Sequence, residues 1–325
     1  MLDGRGIIRP GRREGDFQAG CRDAPACHLA GPVPQAPGRH AEEMQSLPKS
    51  QSLNRPASRR RTPSYDRQAE RFDERVGFGE SVAAAIARAV WEKARMPEAA
   101  VLVDMGAGTG EIGRHLGRLP WRYVGIDRSA RMLAVFRARL GGEERACALV
   151  AADGDATWPV ADGSVNAVFS SRAIHLLDAA HVAAELRRIA SPAGLVFVAG
   201  RVVRDRRSIQ ARMRRRLREC LDDAGFSGRR AGQTLERLAA LCGERNARIM
   251  PANAVAGWTV RRSPAQALAS WRDKEGLAGL TVPKPVRAEV LARVREWAAA
   301  RFGSLTKTEE SQERYILCGI HFPLN

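Results

Sequence analysis

Between residues 99 and 202 short apolar runs and amphipathic stretches take turns, and this alternation leaves the chain few folds. The apolar runs are AAVLVDM (99–105), WRYVGID (121–127), ACALVAAD (146–153), VNAVFSS (165–171) and GLVFVAGRV (194–202). Each has the length of a strand and almost continuous hydrophobicity, as strands covered on both faces do. Helical spacing fills the gaps over 110–119, 129–140 and 179–190; in the second of these Met132, Leu133 and Phe136 share one face. The pattern predicts an α/β fold with a Rossmann-like, doubly wound, mostly parallel sheet.

Sheets of that kind bind ligands beyond the carboxyl ends of their strands. The loop after the first run, Asp104-Met-Gly-Ala-Gly-Thr-Gly110, is therefore the first candidate site. Glycine there removes Cβ and permits positive φ, so a ligand can approach the backbone. A dinucleotide loop has the spacing G-x-G-x-x-G. Gly106 and Gly108 fit it, but position 111 is Glu and the third glycine stands one residue early, at Gly110. The loop also lacks the Lys–Ser/Thr pair of a triphosphate site. Asp104, just ahead of the glycines, would repel a pyrophosphate and suits a ligand with an ammonium group. Asp127 ends the second run, where a carboxylate can accept both hydroxyls of a ribose. Asp155 and Ala156 follow the third, where an acid can accept from an exocyclic adenine amine; Asp153 is an alternative for that role. Amine, ribose and adenine without phosphate describe S-adenosylmethionine.

At these positions the sequence resembles the class I S-adenosylmethionine-dependent methyltransferases, in particular the small-molecule, type 11-like group. The matching segments are 104–110, Val124-Gly-Ile-Asp-Arg-Ser129, Gly154-Asp-Ala-Thr-Trp-Pro159 and Asp162-Gly-Ser-Val-Asn166, within residues 65–201. The resemblance implies the seven-stranded methyltransferase fold and S-adenosyl-L-methionine as cofactor. It implies cofactor contacts from Asp104, Gly106, Ala107, Gly108 and Gly110, from Asp127 and Arg128, from Asp155 and Ala156, and from Ser170 after the fourth strand. Asn166 stands where the group usually has Asp, and Trp158 where it has Leu, so a charge is missing from the start of the fourth strand.

Transfer of an activated methyl gains most from alignment of donor and acceptor, and an O or N acceptor also needs a base. His175, just past the fourth strand, is the candidate base, with a packed histidine as the plainer alternative. Tyr65, Arg172, Trp258 and Arg261 are the candidate substrate contacts. No set of ligands with metal spacing is legible.

Charge and composition frame the acceptor. The net charge is +17, carried almost wholly by arginine, since the only lysines are Lys49, Lys93, Lys274, Lys284 and Lys307. That favours an acidic small-molecule acceptor, or reflects a genome rich in G and C. The rival is an RNA methyltransferase using the basic segment 204–218, but that segment has few aromatics to stack bases and repeats apolar residues at helical spacing. A non-catalytic cofactor-binding protein is the third reading. Residues 1–62, rich in Pro, Gly, Ser and Arg, predict a disordered tail, with Met44 as an alternative start. The domain is expected over 63–325, as a cofactor half (63–203) and a cap half (204–325). The six cysteines show no C-x-x-C pair, which predicts reduced thiols and a cytoplasmic protein. No run has the length of a membrane span.

Overall fold

The computed structural model describes residues 66–71, 79–141, 147–227, 231–243, 247–272 and 276–322. The expected tail over 1–62 and Tyr65 lie outside the described residues.

Seven strands form one sheet: β1 (Val101–Met105), β2 (Arg122–Asp127), β3 (Cys147–Ala151), β4 (Ala167–Ser171), β5 (Leu195–Arg204), β6 (Arg248–Arg262) and β7 (Glu309–Phe322). Their order is β3-β2-β1-β4-β5-β7-β6. The first five are parallel to their neighbours, while β7 runs antiparallel between β5 and β6. The chain winds one way from β1 to β3 and the other way from β4 onward. The switch point therefore falls between β1 and β4, where such sheets open a crevice.

The helices are α1 (Glu80–Ala94), α2 (Gly113–Leu116), α3 (Ala130–Leu140), α4 (Ala179–Ile189), α5 (Ile209–Asp223), α6 (Ala231–Gly243), α7 (Pro264–Arg272) and α8 (Lys284–Phe302). Strand alternation sorts the core into two layers. Leu102, Tyr123, Phe169, Val196, Val198, Tyr315 and Leu317 pack with α1 and α3 on one face. Val103, Met105, Val124, Ile126, Val168 and Phe197 pack with α4 and α6 on the other. Caps mark the helix starts: Ser129 accepts from the Met132 N–H, Asp178 from Ala180 and His181, and Ser208 from Ala211. Each cap of this kind contributes about 1 kcal/mol.

One element departs from the sequence reading. The helix expected over 110–119 shrinks to the single turn of α2, because Gly110 takes φ 75°, outside helical space. The two last strands are longer than their apolar cores, since Glu309–Gln312 continue β7 by pairing only with Val260–Arg262 and Thr259 of β6. Moreover, residues 204–325 are not only a cap, because β6 and β7 complete the sheet.

A third core lies apart from the sheet faces. Ile209, Met213, Leu217 and Leu221 of α5 meet Ala267 and Trp271 of α7 and Val290, Val294 and Ala298 of α8. Helix α5 leaves the carboxyl end of β5, and α7 and α8 follow the carboxyl end of β6, which runs parallel to β5. This helical unit thus springs from the edge of the sheet that carries the glycine loop.

Candidate functional site

A cleft of about 240 Å³ opens at the carboxyl ends of β1 to β4. Its floor is the glycine loop. The amides of Gly106 and Ala107 both donate to the Ile126 carbonyl, at 2.8 and 3.0 Å, folding the loop back over the end of β2. Gly106, Gly108 and Gly110 all hold positive φ, at 80°, 57° and 75°. Their reasons differ. A Cβ on Gly106 would meet Ala173 at 2.2 Å, and one on Gly110 would meet the Phe136 ring at 2.0 Å, whereas one on Gly108 would have only the Gly106 carbonyl oxygen near it, at an ordinary 3.9 Å. Gly106 and Gly110 are packing requirements, and Gly108 leaves the cradle open.

Asp127 anchors this loop. Its Oδ2 accepts from the Gly108 amide at 2.9 Å and its Oδ1 from Ser129 at 2.8 Å. Burial raises its pKa, and those two backbone donors pull it back. Each carboxylate oxygen keeps a free lone pair beyond these bonds, which leaves capacity for a diol. Asp66, ahead of the first helix, also borders the cleft and accepts from the Ser129 hydroxyl.

Asp104 is the more unusual group. It is 3% exposed, its Oδ2 accepts from the Tyr123 hydroxyl at 2.6 Å, and its Oδ1 is buried with no hydrogen-bond partner among the described residues. Burial pushes its pKa up to about 7, against the pull of the Tyr123 hydrogen bond and with a further push from Asp127. An orphaned carboxylate oxygen at the cleft wall is costly and calls for a cationic donor. Tyr123 is itself fixed by the Phe136 ring, edge to face at 5.9 Å, and by Gly113, where a Cβ would stand 2.4 Å from the hydroxyl.

The third acid also reaches the cleft. Asp155 borders it, with one oxygen accepting from the Asp178 amide at 2.8 Å, while Asp153 is spent inside the turn, accepting from the Asp155 amide at 3.1 Å. Of the two alternatives left open by the sequence, Asp155 borders the cleft and Asp153 does not. Trp158 pins the same loop: its indole N–H donates to the Gly154 carbonyl at 3.0 Å and its amide to Glu185 at 2.7 Å.

Of the remaining expected residues, Ala107, Arg128 and Arg172 border the cleft. Ala156, Ser170, His175, Trp258 and Arg261 do not. Ser170 is fully buried and donates to the Met105 carbonyl at 2.9 Å; its neighbours Phe169 and Ser171 form the wall instead. Ala156 holds the loop, its carbonyl 2.9 Å from His181 Nε2. His175 sits in the 3₁₀ turn Ile174–Leu176, of which Leu176 reaches the wall, as does the preceding Ala173, and burial lowers the histidine pKa. Trp258 packs on the α1 side of the sheet, and Arg261 is exposed beside Glu310 at 3.6 Å. Asn166 lies at the amino end of β4, away from the cleft, where it bonds the Val101 amide at 3.0 Å and Ser191 at 2.9 Å. Its lost charge concerns strand bracing.

The structure adds residues that the sequence did not signal. Glu111 is buried and holds Arg172 at 2.8 Å, and both border the cleft. Arg172 takes φ 59°, a conformation that costs a side-chain-bearing residue about 1–2 kcal/mol. Behind them the Tyr315 hydroxyl meets Ser171 Oγ at 2.6 Å, and burial raises the tyrosine pKa. Among the described residues there is no cluster of His, Cys, Asp and Glu able to hold a metal, and no helix long and apolar enough to cross a membrane.

This sheet order, with its antiparallel β7 and three acids at successive strand ends, defines the class I S-adenosylmethionine-dependent methyltransferase fold. Consistent with it, residues 103–198 match the family model described as a methyltransferase domain. The chain thus carries a methyltransferase domain whose cofactor is S-adenosylmethionine and whose reaction is methyl transfer. No curated protein sequence matches the chain. Among solved structures it is similar to a candidate methyltransferase from Bacillus halodurans, at 13% identity and TM-score 0.49 over 73% of this chain and 98% of that one. It is similar also to SpnF, a 4+2 cyclase, at 16% identity and TM-score 0.48, over 81% and 98%. A third is the geranyl diphosphate C-methyltransferase of Streptomyces coelicolor, at 14% identity and TM-score 0.42, over 74% and 76%. Nothing about the acceptor follows from likenesses at these identities.

Proposed function

We propose that the protein transfers a methyl group from S-adenosylmethionine to an O, N or C atom of a small, anionic acceptor. The observation that carries the reading is the convergence of Asp104, Asp127 and Asp155, from three successive strand ends, on one cleft. When bound, the cofactor supplies an activated sulfonium methyl. The chain's own residues do the rest. Asp104, with its orphaned oxygen, pairs with the ammonium; Asp127 accepts from the ribose; Asp155 accepts from the adenine amine; and the open side of Gly108 admits the ligand. Arg172, held by Glu111 at the end of β4, faces the acceptor with a fixed positive charge. Walls formed by Met105, Met132, Phe169, Leu176 and Leu177 keep water out, so that orientation supplies most of the rate.

Nucleic acid is a weaker reading of the basic helix α5, because its arginines are partly engaged inside the fold. The Arg212 guanidinium lies 4.4 Å over the Phe302 ring and Arg216 pairs with Glu219 at 3.2 Å. A cytoplasmic location belongs to the same proposal and rests on the cysteine pattern; the four described cysteines are free thiols. The test is calorimetric binding of S-adenosylhomocysteine to wild type and to Asp127→Ala. Tight binding that the variant loses supports the reading, and equal binding by both refutes the assignment.

A further inference from the structure

Asp178, which caps α4, and His181, Glu185 and Arg188 within it stand three or four residues apart, and so share one face of the helix. All four hold the same irregular stretch of chain, residues 153–162, which descends from the cleft after β3. At the cleft end the Asp178 amide donates to Asp155 Oδ1 at 2.8 Å, and His181 Nε2 donates to the Ala156 carbonyl at 2.9 Å. The Asp178 carboxylate orders this corner by accepting from the Ala180 and His181 amides, at 2.9 and 3.0 Å. Further down, buried Glu185 accepts from the Trp158 amide at 2.7 Å. Arg188 spends all five of its N–H groups there. Nε and Nη2 donate to Glu185 at 3.0 and 2.6 Å, and Nη2 also to the Trp158 carbonyl at 3.0 Å. Nη1 donates to the Val160 carbonyl at 3.0 Å and to Asp162 at 2.6 Å. The two ends are joined by Trp158, whose indole N–H donates to the Gly154 carbonyl at 3.0 Å. Gly154 is itself wedged, since a Cβ there would stand 2.9 Å from Leu177 and 3.2 Å from Met105. Asp155, at the cleft border, is therefore tied to α4 directly, and again through Gly154, Trp158, Glu185 and Arg188.

We propose that His181 and Arg188 are positioning residues of the adenine subsite, and that this face of α4 is the template that lets Asp155 tell a 6-amino purine from a 6-oxo purine. The proposal rests on the assignment of Asp155 to the adenine amine above and deepens it. With Oδ1 committed to the Asp178 amide, Oδ2 is left for the ligand, and an ionised carboxylate only accepts. The 6-amino group of adenine donates to it. The 6-oxo group of hypoxanthine presents a lone pair instead and leaves the carboxylate without its bond. Rejection of this kind needs an acid held within about 0.5 Å of its place. A loop free to shift could reach the neighbouring N1–H of hypoxanthine and recover the lost bond, so the hydrogen bonds from α4 are what make the choice.

The experiment is calorimetric titration of the full chain with S-adenosylhomocysteine and with S-inosylhomocysteine, its 6-oxo analogue. Wild type should bind the inosyl compound at least about tenfold more weakly. In His181→Ala and in Arg188→Gln that ratio should fall below about threefold, chiefly through loss of affinity for the adenosyl compound. His181→Gln, which can still donate to the Ala156 carbonyl, should restore the wild-type ratio. Arg187→Gln, an exposed neighbour on α4, should leave the ratio as it is. A purely structural role would lower the melting temperature and scale both ligands alike, leaving the ratio unmoved. His181→Ala deletes one hydrogen bond at a half-buried side chain, so it remains a folded test however much Arg188→Gln costs in stability. A wild-type ratio retained by His181→Ala, or by folded Arg188→Gln, overturns the template. A ratio near one in wild type overturns the template together with the adenine role of Asp155. If S-adenosylhomocysteine fails to bind wild type at all, the function proposed above falls as well.

Discussion

Because Asp104 titrates near pH 7 in the fold, cofactor affinity should depend on pH in a way that most carboxylate-bound ligands do not show. Only the ionised carboxylate attracts an ammonium, so protonated protein must lose its proton on binding. With a pKa of about 7, the apparent dissociation constant scales as one plus the ratio of protonated to ionised Asp104. Between pH 7.5 and 5.5 that factor rises about 25-fold. The assay is titration calorimetry with S-adenosylhomocysteine, whose affinity should fall by roughly that factor as the pH drops. Repeating it at pH 6 in buffers of different ionisation enthalpy should give release of about one proton per ligand. Asp104→Asn should bind at least about tenfold more weakly at pH 7.5. Its residual pH dependence should shrink, with what remains coming from Asp127, whose burial also raises its pKa. Wild-type affinity that is flat across this window, or an unchanged slope in Asp104→Asn, would refute the reasoning. The ligand-free fold carries the opposite sign: a carboxylate raised from 3.8 to about 7 costs stability as it ionises, so the melting temperature should fall as pH rises through that interval.

Tyr123→Phe removes the one donor to Asp104, so the pH midpoint of cofactor binding should move up, and stability should fall by about 1–2 kcal/mol by thermal melt. Gly110→Ala, driven against the Phe136 ring, should cost about 2–4 kcal/mol in chemical denaturation. Gly108→Ala should cost only about 1–2 kcal/mol, the expense of its backbone conformation, while S-adenosylhomocysteine affinity drops. His175→Gln should change kcat by less than about threefold in a methyl-transfer assay, since its side chain does not border the cleft; a loss near that of general-base removal, about a hundredfold or more, would restore it as the base.

The legible parts of this protein are those that depend on position along a strand. Asp104, Asp127 and Asp155 could be read because each follows an apolar run, and strand ends meet at the crevice whatever the surrounding packing. The partners of those acids were not legible. Tyr123 reads as one more aromatic in a buried run; only the register that sets β1 beside β2, with Phe136 and Gly113 behind, turns its hydroxyl to Asp104. Glu111 reads as the residue that spoils a dinucleotide loop, and its pairing with Arg172 joins segments brought together only by the β1–β4 neighbourhood. His175 and Ser170 were one residue from the wall. In a turn or strand a single step reverses the face, and pattern alone does not resolve that step. The full length of β7 was hidden because Glu309–Gln312 are all polar or charged and pair with β6 beyond the apolar run.

Methyl transfer to a small anionic molecule can be followed in a single labelling experiment. The full chain is incubated with methyl-labelled S-adenosylmethionine and a whole-cell extract, and the label is followed through separated metabolite, RNA and protein fractions. Label is expected in a small, acidic metabolite, retained on an anion exchanger and lost with Asp127→Ala. Label in RNA or protein, or label that Asp127→Ala leaves undiminished, would contradict it.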